Sequence, residues 1–344
     1  MGVKLSDLID AQKISLRDLT GQRIVFDGNL VIYQFLATIR GRNGQPLKNR
    51  HGQITSHLSG LLYRNSNLME KGLKIIYVFD GTPHKFKATV LKRRREKRRK
   101  AKTKYKKAVE KGDSEKTRLY GQQSMTATRD IIGDAKKLLG LMGIPWVQAP
   151  GEGEAQAAYM VSKGDVWGAA SQDYDSLLYG ATRHIRNLSI TGRRKLPGKN
   201  VYIKIEPEML ELERVKTKLG LTQSQLIDMG ILIGTDYNPD GIKGIGPKTA
   251  YKLITKHGTL EKALPYVKNA EFPHPVDEIK ELFLKPRTTD NYTIEWKKPD
   301  TAALIGFLSG EHSFSQKRVM SAVEKMNAGL APRPKRTTLD SYFG

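Results

Sequence analysis

The chain has no cysteine among its 344 residues. Disulfide staples, thiol nucleophiles and zinc–thiolate centres are therefore excluded, and the lack of so labile a residue fits a hot habitat. Long hydrophobic runs are missing too. No apolar stretch approaches the roughly 20 residues of a membrane span. The start, Met1-Gly2-Val3-Lys4-Leu5, lacks the apolar core of a signal peptide, so a cytoplasmic protein is expected. Acids are scarce: 35 Asp and Glu face 59 Lys and Arg, for a formal net charge of +24. Such an excess calls for a polyanionic partner, nucleic acid or an anionic membrane surface. With 38% apolar and 27% charged residues, the composition is that of a soluble globular chain able to bury a sizeable core.

The scarce acids are grouped. Asp27 ends the apolar run Ile24-Val25-Phe26, and Asp80 ends Ile75-Ile76-Tyr77-Val78-Phe79. Glu152 and Glu154 flank Gly153, Asp173 and Asp175 flank Tyr174, and Asp236 follows Gly234-Thr235. Each has an ordinary reading alone: Asp27 as a helix cap, Asp80-Gly81 as a tight turn, Glu152 and Glu154 as complements to a helix dipole. Asp173 and Asp175, if they continue a strand, share one face. Together the acids point elsewhere. Parallel α/β sheets bind ligands at the carboxyl ends of their strands, and Asp27, Asp80 and the Asp173/Asp175 pair occupy that end. Seven carboxylates so close repel one another unless compensated. Two Mg²⁺ ions, with Mn²⁺ as a substitute, offset four charges, and a metal pair about 3.5–4 Å apart clamps both oxygens of a phosphodiester displacement. Asp236-Tyr237-Asn238-Pro239-Asp240-Gly241 imitates a calcium-binding loop, but the twelfth position, where Glu is required, is Pro247.

Strand–helix–strand order predicts a parallel-sheet α/β core. The expected strands are Arg23–Phe26, Ile75–Phe79 and Val166–Ala170, with a short edge strand at Tyr202–Ile205. Helices are expected at Leu30–Ile39, Thr55–Leu73, Thr126–Gly143 and Glu154–Lys163, with helices and turns from Thr222 to Ala328. Residues 85–111 hold fifteen Lys or Arg against two Glu, so this segment carries +13 of the +24. It follows Asp80 directly. Lys87 and Arg94 lie seven residues apart within it, on one side of a helix, and can reach one phosphate. Gly241-Ile242-Lys243-Gly244-Ile245-Gly246-Pro247-Lys248 reads as a helix-hairpin-helix grip on a duplex backbone: Gly244 and Gly246 allow close approach, amides of the following helix point at an anion, and Lys248 adds charge.

These motifs closely resemble the flap endonucleases, of the XPG-type structure-specific 5′ nuclease family. The resemblance runs along nearly the whole chain, through Phe26-Asp27, Tyr33-Gln34-Phe35-Leu36, Thr55-Ser56-His57-Leu58, Tyr77-Val78-Phe79-Asp80-Gly81, Met142-Gly143-Ile144-Pro145, Ala149–Ala155, Gln172–Asp175 and Gly244–Lys248. It implies a PIN-like nuclease core with a helical arch at about 84–125 and a helix-hairpin-helix element at about 222–262. These lie in one domain over residues 1–328, followed by a flexible tail over 329–344. It implies that Asp27, Asp80, Glu152, Glu154, Asp173, Asp175 and Asp236 are metal ligands, directly or through water. Lys87 and Arg94 then contact the scissile phosphate, Tyr33 stacks on a base beside the cut, and Arg40 and Arg64 lie near the substrate strand. It also implies K⁺ at the hairpin and the Gly2 amino group near the site. Leu339, Tyr342 and Phe343 resemble the family's sliding-clamp (PCNA) peptide, with Arg336 where Gln is usual. The missing basic extension and the short arch favour an archaeal flap endonuclease over a eukaryotic one, which would be nuclear; a monomer is expected. A related gap or junction nuclease and a non-catalytic nucleic-acid scaffold are the alternatives.

Overall fold

The computed structural model describes residues 3, 5–189, 192–195, 202–268 and 270–331. Strands in chain order are β1 (Gln12–Lys13), β2 (Arg23–Asp27), β3 (Lys74–Phe79), β4 (Trp146–Gln148), β5 (Gly168–Ala170), β6 (Arg183–Arg186), β7 (Gly192–Lys195), β8 (Tyr202–Ile205) and β9 (Glu208–Glu211). The main sheet runs β1-β9-β6-β5-β2-β3-β4. Its centre, from β4 to β6, is parallel, and β9 closes it antiparallel to β6. The chain leaves β2 for β3 on one side and later returns to β5 on the other. The crevice at such a switch point is where open α/β sheets bind ligands.

Alternation along the central strands builds both faces. Ile24 and Phe26 of β2, with Ile75, Tyr77 and Phe79 of β3, turn into the larger core. That core is completed by α1 (Gly28–Thr38), α2 (Ser56–Glu70), α5 (Arg129–Leu141) and the last helix, Gln316–Leu330. Val25, Ile76 and Val78 face the other way, onto α6 (Gly153–Lys163). A third cluster gathers α7 (Asp175–Leu178), α8 (Leu212–Leu219), α9 (Gln223–Ile233), α10 (Pro247–His257) and the helix Val276–Leu284. The basic segment forms a 3₁₀ turn at Lys85–Lys87, then α3 (Ala88–Glu110) and α4 (Ser114–Ser124), packed together as a helical hairpin. No Gly or Pro interrupts residues 85–111, and Lys, Arg and Ala are good helix formers.

Four sequence expectations change. Asp173 and Asp175 do not continue a strand: β5 stops at Ala170, and Asp175 opens the short α7. Tyr202–Ile205 pairs with β7 in a separate two-stranded ribbon and lies outside the main sheet. The helical pattern from Thr222 breaks at residues 285–300, an extended strap bounded by Pro286 and Pro299. There Trp296 Nε1 donates to the Ile75 carbonyl at 2.8 Å, and the Lys297 amide donates to the Gly143 carbonyl. Gly329 belongs to the last helix rather than to a tail. A Cβ there would stand 1.9 Å from the Met69 carbonyl, so only glycine allows this helix so close to α2. Gly2, Arg336 and the clamp-type residues Leu339, Tyr342 and Phe343 lie outside the described residues.

Candidate active site

The seven acids converge on the crevice. Asp27 is the last residue of β2 and the N-cap of α1; its Oδ1 accepts the Leu30 amide at 2.9 Å. Capping and site membership therefore coexist. Asp80 follows β3 at the open rim, and its Oδ1 accepts the Gly153 amide at 2.7 Å at the start of α6. Glu152 stands at the N-cap position of that helix without a side-chain capping bond and accepts from Lys87 Nζ at 2.5 Å. Glu154 accepts the Ser171 hydroxyl at 2.5 Å. Asp175 is buried and accepts the Val3 amide at 2.7 Å. Asp236, in the turn after α9, takes Lys87 at 3.3 Å and Arg94 at 2.6 Å.

The electrostatics tie these side chains into one cluster. Burial, then the charges of Asp80, Asp173 and Glu152, push Asp27 up to about 8 against the Leu30 amide. Burial raises Asp80, with Glu152 and Asp236 adding to it and the Gly153 amide and Lys87 opposing. Glu154 is raised well above its usual value by burial and by Asp175, Asp27 and Asp173. Asp175 rises to about 6 through burial and the nearby Asp173 and Asp236, against the Val3 amide and Lys87. Asp236 runs the other way. Burial favours its neutral form, but Lys87 and Arg94 outweigh this and hold it below the usual range. Lys87 is raised despite its own burial, because Glu152 and Asp236 face it.

Among the described residues no three Asp, Glu or His side chains sit in metal-ligand geometry. The reason is visible in the contacts. Mutually repelling carboxylates turn to the nearest donors, an amide for Asp27, Asp80 and Asp175 and a cation for Glu152 and Asp236. The donor set still fits hard divalent cations. It is all oxygen, and among the described residues the seven carboxylates are paired with two cations, Lys87 and Arg94, so more carboxylate than cation stands in the crevice.

Lys87 is not on α3 as the spacing implied; it ends the 3₁₀ turn as the N-cap of that helix. Both arch cations nevertheless meet at Asp236. Arg93 pairs with Asp240, and Arg98 donates to the Tyr33 hydroxyl at 2.9 Å, so Tyr33 stands under the arch. Arg40 is turned inward, donating to the carbonyls of Leu36, Ala37 and Gly44 at the end of α1. Arg64 grips the Leu188 carbonyl with Nε at 3.1 Å and lines an open cleft of about 640 Å³ with Lys48, Thr55, Ser313 and Arg318. This cleft lies apart from the acids and was not foreseen, because its walls come from helices far apart in sequence.

Between α9 and α10, Asn238 closes the turn, taking Thr235 Oγ1 at 2.7 Å and donating to the Ile231 carbonyl at 2.6 Å. The atoms that a calcium loop would offer are engaged otherwise. Gly244 is left-handed, with φ +87°, and Gly246 is the N-cap of α10 with Pro247 in its first turn. No side chain caps that end, and Lys248 beside it is exposed. Sequence reasoning missed Ser171, Asn29 (whose Oδ1 takes the Asp80 amide at 3.3 Å) and Tyr237, whose ring lies 5.2 Å from Lys87 Nζ.

Two family models match, the XPG N-terminal domain over residues 1–101 and the XPG I-region over residues 143–236. Flap endonuclease 1 of Staphylothermus marinus is 52% identical over the full length of both chains. The chain belongs to the flap endonuclease family. Flap endonuclease 1 of Pyrococcus abyssi is 51% identical, with 100% of this chain and 98% of that one covered. The solved flap endonuclease-1 of Methanococcus jannaschii aligns with a TM-score of 0.75 at 44% identity, covering 95% of this chain and 98% of that one. The catalytic core of Rad2 in complex with DNA shares the fold, with a TM-score of 0.69 at 23% identity over 92% of this chain and 96% of that one. This flap endonuclease is thus a structure-specific nuclease, a hydrolase of phosphodiester bonds from a metal-dependent family. Among its described residues no helix is long and apolar enough to cross a membrane.

Proposed function

We propose that this enzyme cuts the 5′ single-stranded flap of branched DNA near its junction with the duplex, and that it trims 5′ ends exonucleolytically, in primer removal and repair. One observation carries the reading: Asp236 holds both Lys87 and Arg94 at the edge of the carboxylate crevice. A phosphodiester at that edge has arch cations on one side and the acid set on the other. Asp27, Asp80, Glu152, Glu154, Asp173, Asp175 and Asp236 would hold two Mg²⁺, or Mn²⁺, directly or through water. When bound, the ions supply an activated water at neutral pH and charge stabilisation of the leaving oxygen. Lys87 and Arg94 exchange carboxylate for phosphate and stabilise its developing charge. Tyr33, beneath the arch, offers a stacking face for a base.

Gly244, Gly246 and Lys248, at the uncapped start of α10, grip the duplex backbone without reading sequence, and the backbone carbonyls of the hairpin would hold a K⁺ that offsets phosphate charge there. Arg40 and Arg64 serve the substrate strand as long-range charge, given how firmly backbone carbonyls hold them. The enzyme acts as a cytoplasmic monomer, and Leu339, Tyr342 and Phe343 dock it on the sliding clamp. The test is cleavage of a labelled flap with a one-nucleotide 3′ overhang beside a gapped duplex and a four-way junction, with and without Mg²⁺. Preferred, Mg²⁺-dependent cutting of the flap is expected. Preference for the gap or junction overturns the substrate, and binding without cutting overturns the enzyme.

A further inference from the structure

Lys87 stands in an aromatic setting that ion pairing with Glu152 and Asp236 does not require. Its Nζ lies 5.2 Å from the centre of the Tyr237 ring, within the range of a cation–π contact. The Tyr237 hydroxyl bonds the Tyr179 hydroxyl at 2.8 Å, and Phe283 meets the Tyr237 ring edge-on at 5.3 Å, so the ring is fixed at both ends. The preceding residue is fixed as firmly. Phe86 stacks on His274 with centroids 3.8 Å apart and planes 8° from parallel, while His84 closes its edge at 4.6 Å. His84 also caps the turn, its Nδ1 accepting the Phe86 amide at 3.3 Å and its carbonyl accepting the Lys87 amide at 2.9 Å.

We propose that Tyr237 and His274 are positioning residues for Lys87, forming a cradle that sets where its ammonium stands once substrate phosphate replaces carboxylate as its partner. The proposal rests on the reading that Lys87 faces the reacting phosphate. A lysine is a point charge on a flexible stem, and a cation contributes to a transition state only when it is already in place. The carboxylates cannot supply that placement during the reaction, because metal then competes for them and phosphate competes with them for the lysine. The aromatic walls keep their hold. They also come from outside the arch: Tyr237 follows α9, and His274 precedes the helix Val276–Leu284. The base of the arch is thereby registered against the region that carries the hairpin.

Single-turnover cleavage and equilibrium flap binding are measured for Tyr237→Leu, Tyr237→Phe, His274→Ala, His274→Phe and Lys87→Ala, and for each cradle variant combined with Lys87→Ala. Lys87→Ala is expected to cut about 10²-fold slower. Tyr237→Leu is expected to cut about tenfold slower with binding unchanged, and Tyr237→Phe, which keeps the ring face, within about threefold of the parent. His274→Ala is expected to lose about fivefold, with recovery in His274→Phe, which restores a stacking ring. On the Lys87→Ala background neither cradle substitution slows the enzyme further. Equal slowing with and without Lys87 makes the rings ordinary packing and overturns the proposal, as does parental cutting by Tyr237→Leu and His274→Ala while Lys87→Ala is slow. Parental cutting by Lys87→Ala instead removes the underlying role of Lys87. If Tyr237→Leu does not fold, the half-buried His274 pair decides alone.

Discussion

In the carboxylate crevice the scaffold holds the acids with short bonds, such as those from the amides of Leu30, Gly153 and Val3 and the hydroxyl of Ser171. Along α3 the charge is of the other sign and mostly faces water. Its visible anchors are few: Arg93 on Asp240, Arg94 on Asp236 and Arg98 on Tyr33. The crevice stores unfavourable charge inside a rigid sheet end, where packing of the surrounding core outweighs it. The arch stores it on an exposed helix, where neighbouring lysines and arginines repel at i,i+4 but remain hydrated. The first region offers oxygen ligands suited to a cation, and the second offers positive charge suited to a polyanion. They touch at Asp236, which pairs with Lys87 and Arg94.

The largest test of this contrast removes one acid while sparing its scaffold bond. Asp175→Asn can still accept the Val3 amide, so the fold and metal-free flap binding should persist. Cleavage should fall by about 10³-fold, the upper end of what one charge-stabilising group contributes. Cutting within tenfold of the parent would show that the buried acid serves the fold alone. On the arch side, the proposed role of Arg94 at the reacting phosphate predicts that Arg94→Ala lowers the single-turnover rate by about 10²-fold with little change in affinity. Equal losses in rate and affinity would return Arg94 to general electrostatics and erase the distinction between this end of the arch and the rest of α3.

Proton linkage gives a smaller effect with a definite sign. An ordinary Asp titrates near 3.9, and Asp27 in the folded protein titrates at about 8. Between those values the folded, metal-free state holds a proton that the unfolded chain has released, so its stability falls as pH rises. Buried His57 and His184, depressed to about 4 and about 3, act in the opposite sense, but only below the unfolded value near 6.5. In a chelator the melting temperature should therefore rise as pH is lowered from about 8 to about 6.5, the window of the raised acids. Asp27→Asn or added Mg²⁺ should flatten that slope. A melting temperature indifferent to pH in this window would contradict the raised acid. Smallest of all for the isolated enzyme, deleting Thr337–Gly344 should leave cleavage of a free flap unchanged and abolish stimulation by the sliding clamp. A truncated enzyme that is still stimulated would exclude the tail from the account.

Much of the site was legible because it sits where short-range patterns end. Ile24–Phe26 and Ile75–Phe79 announce buried strands, and the acid after each marks a strand's carboxyl end. Pro247 after Gly246 announces a helix start. Other features were hidden. Asp173 and Asp175 read equally well as strand or loop, and the three-residue β5 decided it. Residues 285–300 looked continuous with the helices around them, yet the Ile75 carbonyl of β3 and the turn at Gly143 capture them through Trp296 and Lys297. Arg40 and Arg64 were expected near the substrate strand; the carbonyls of Leu36, Ala37 and Gly44 and that of Leu188 hold their guanidinium groups.

The sequence alone determined the chemistry on offer: oxygen ligands without thiols, a basic segment beside an acidic site, a glycine-rich turn before a helix. These are local properties, encoded within a few residues by composition, periodicity and capping. The tertiary structure alone decided which groups meet: that Lys87 and Arg94 share Asp236, that Tyr237 underlies Lys87, and that His274 stacks on Phe86. Such meetings join residues far apart in the chain. They follow from strand order and core packing, which are set by the sum of many weak contacts rather than by any motif.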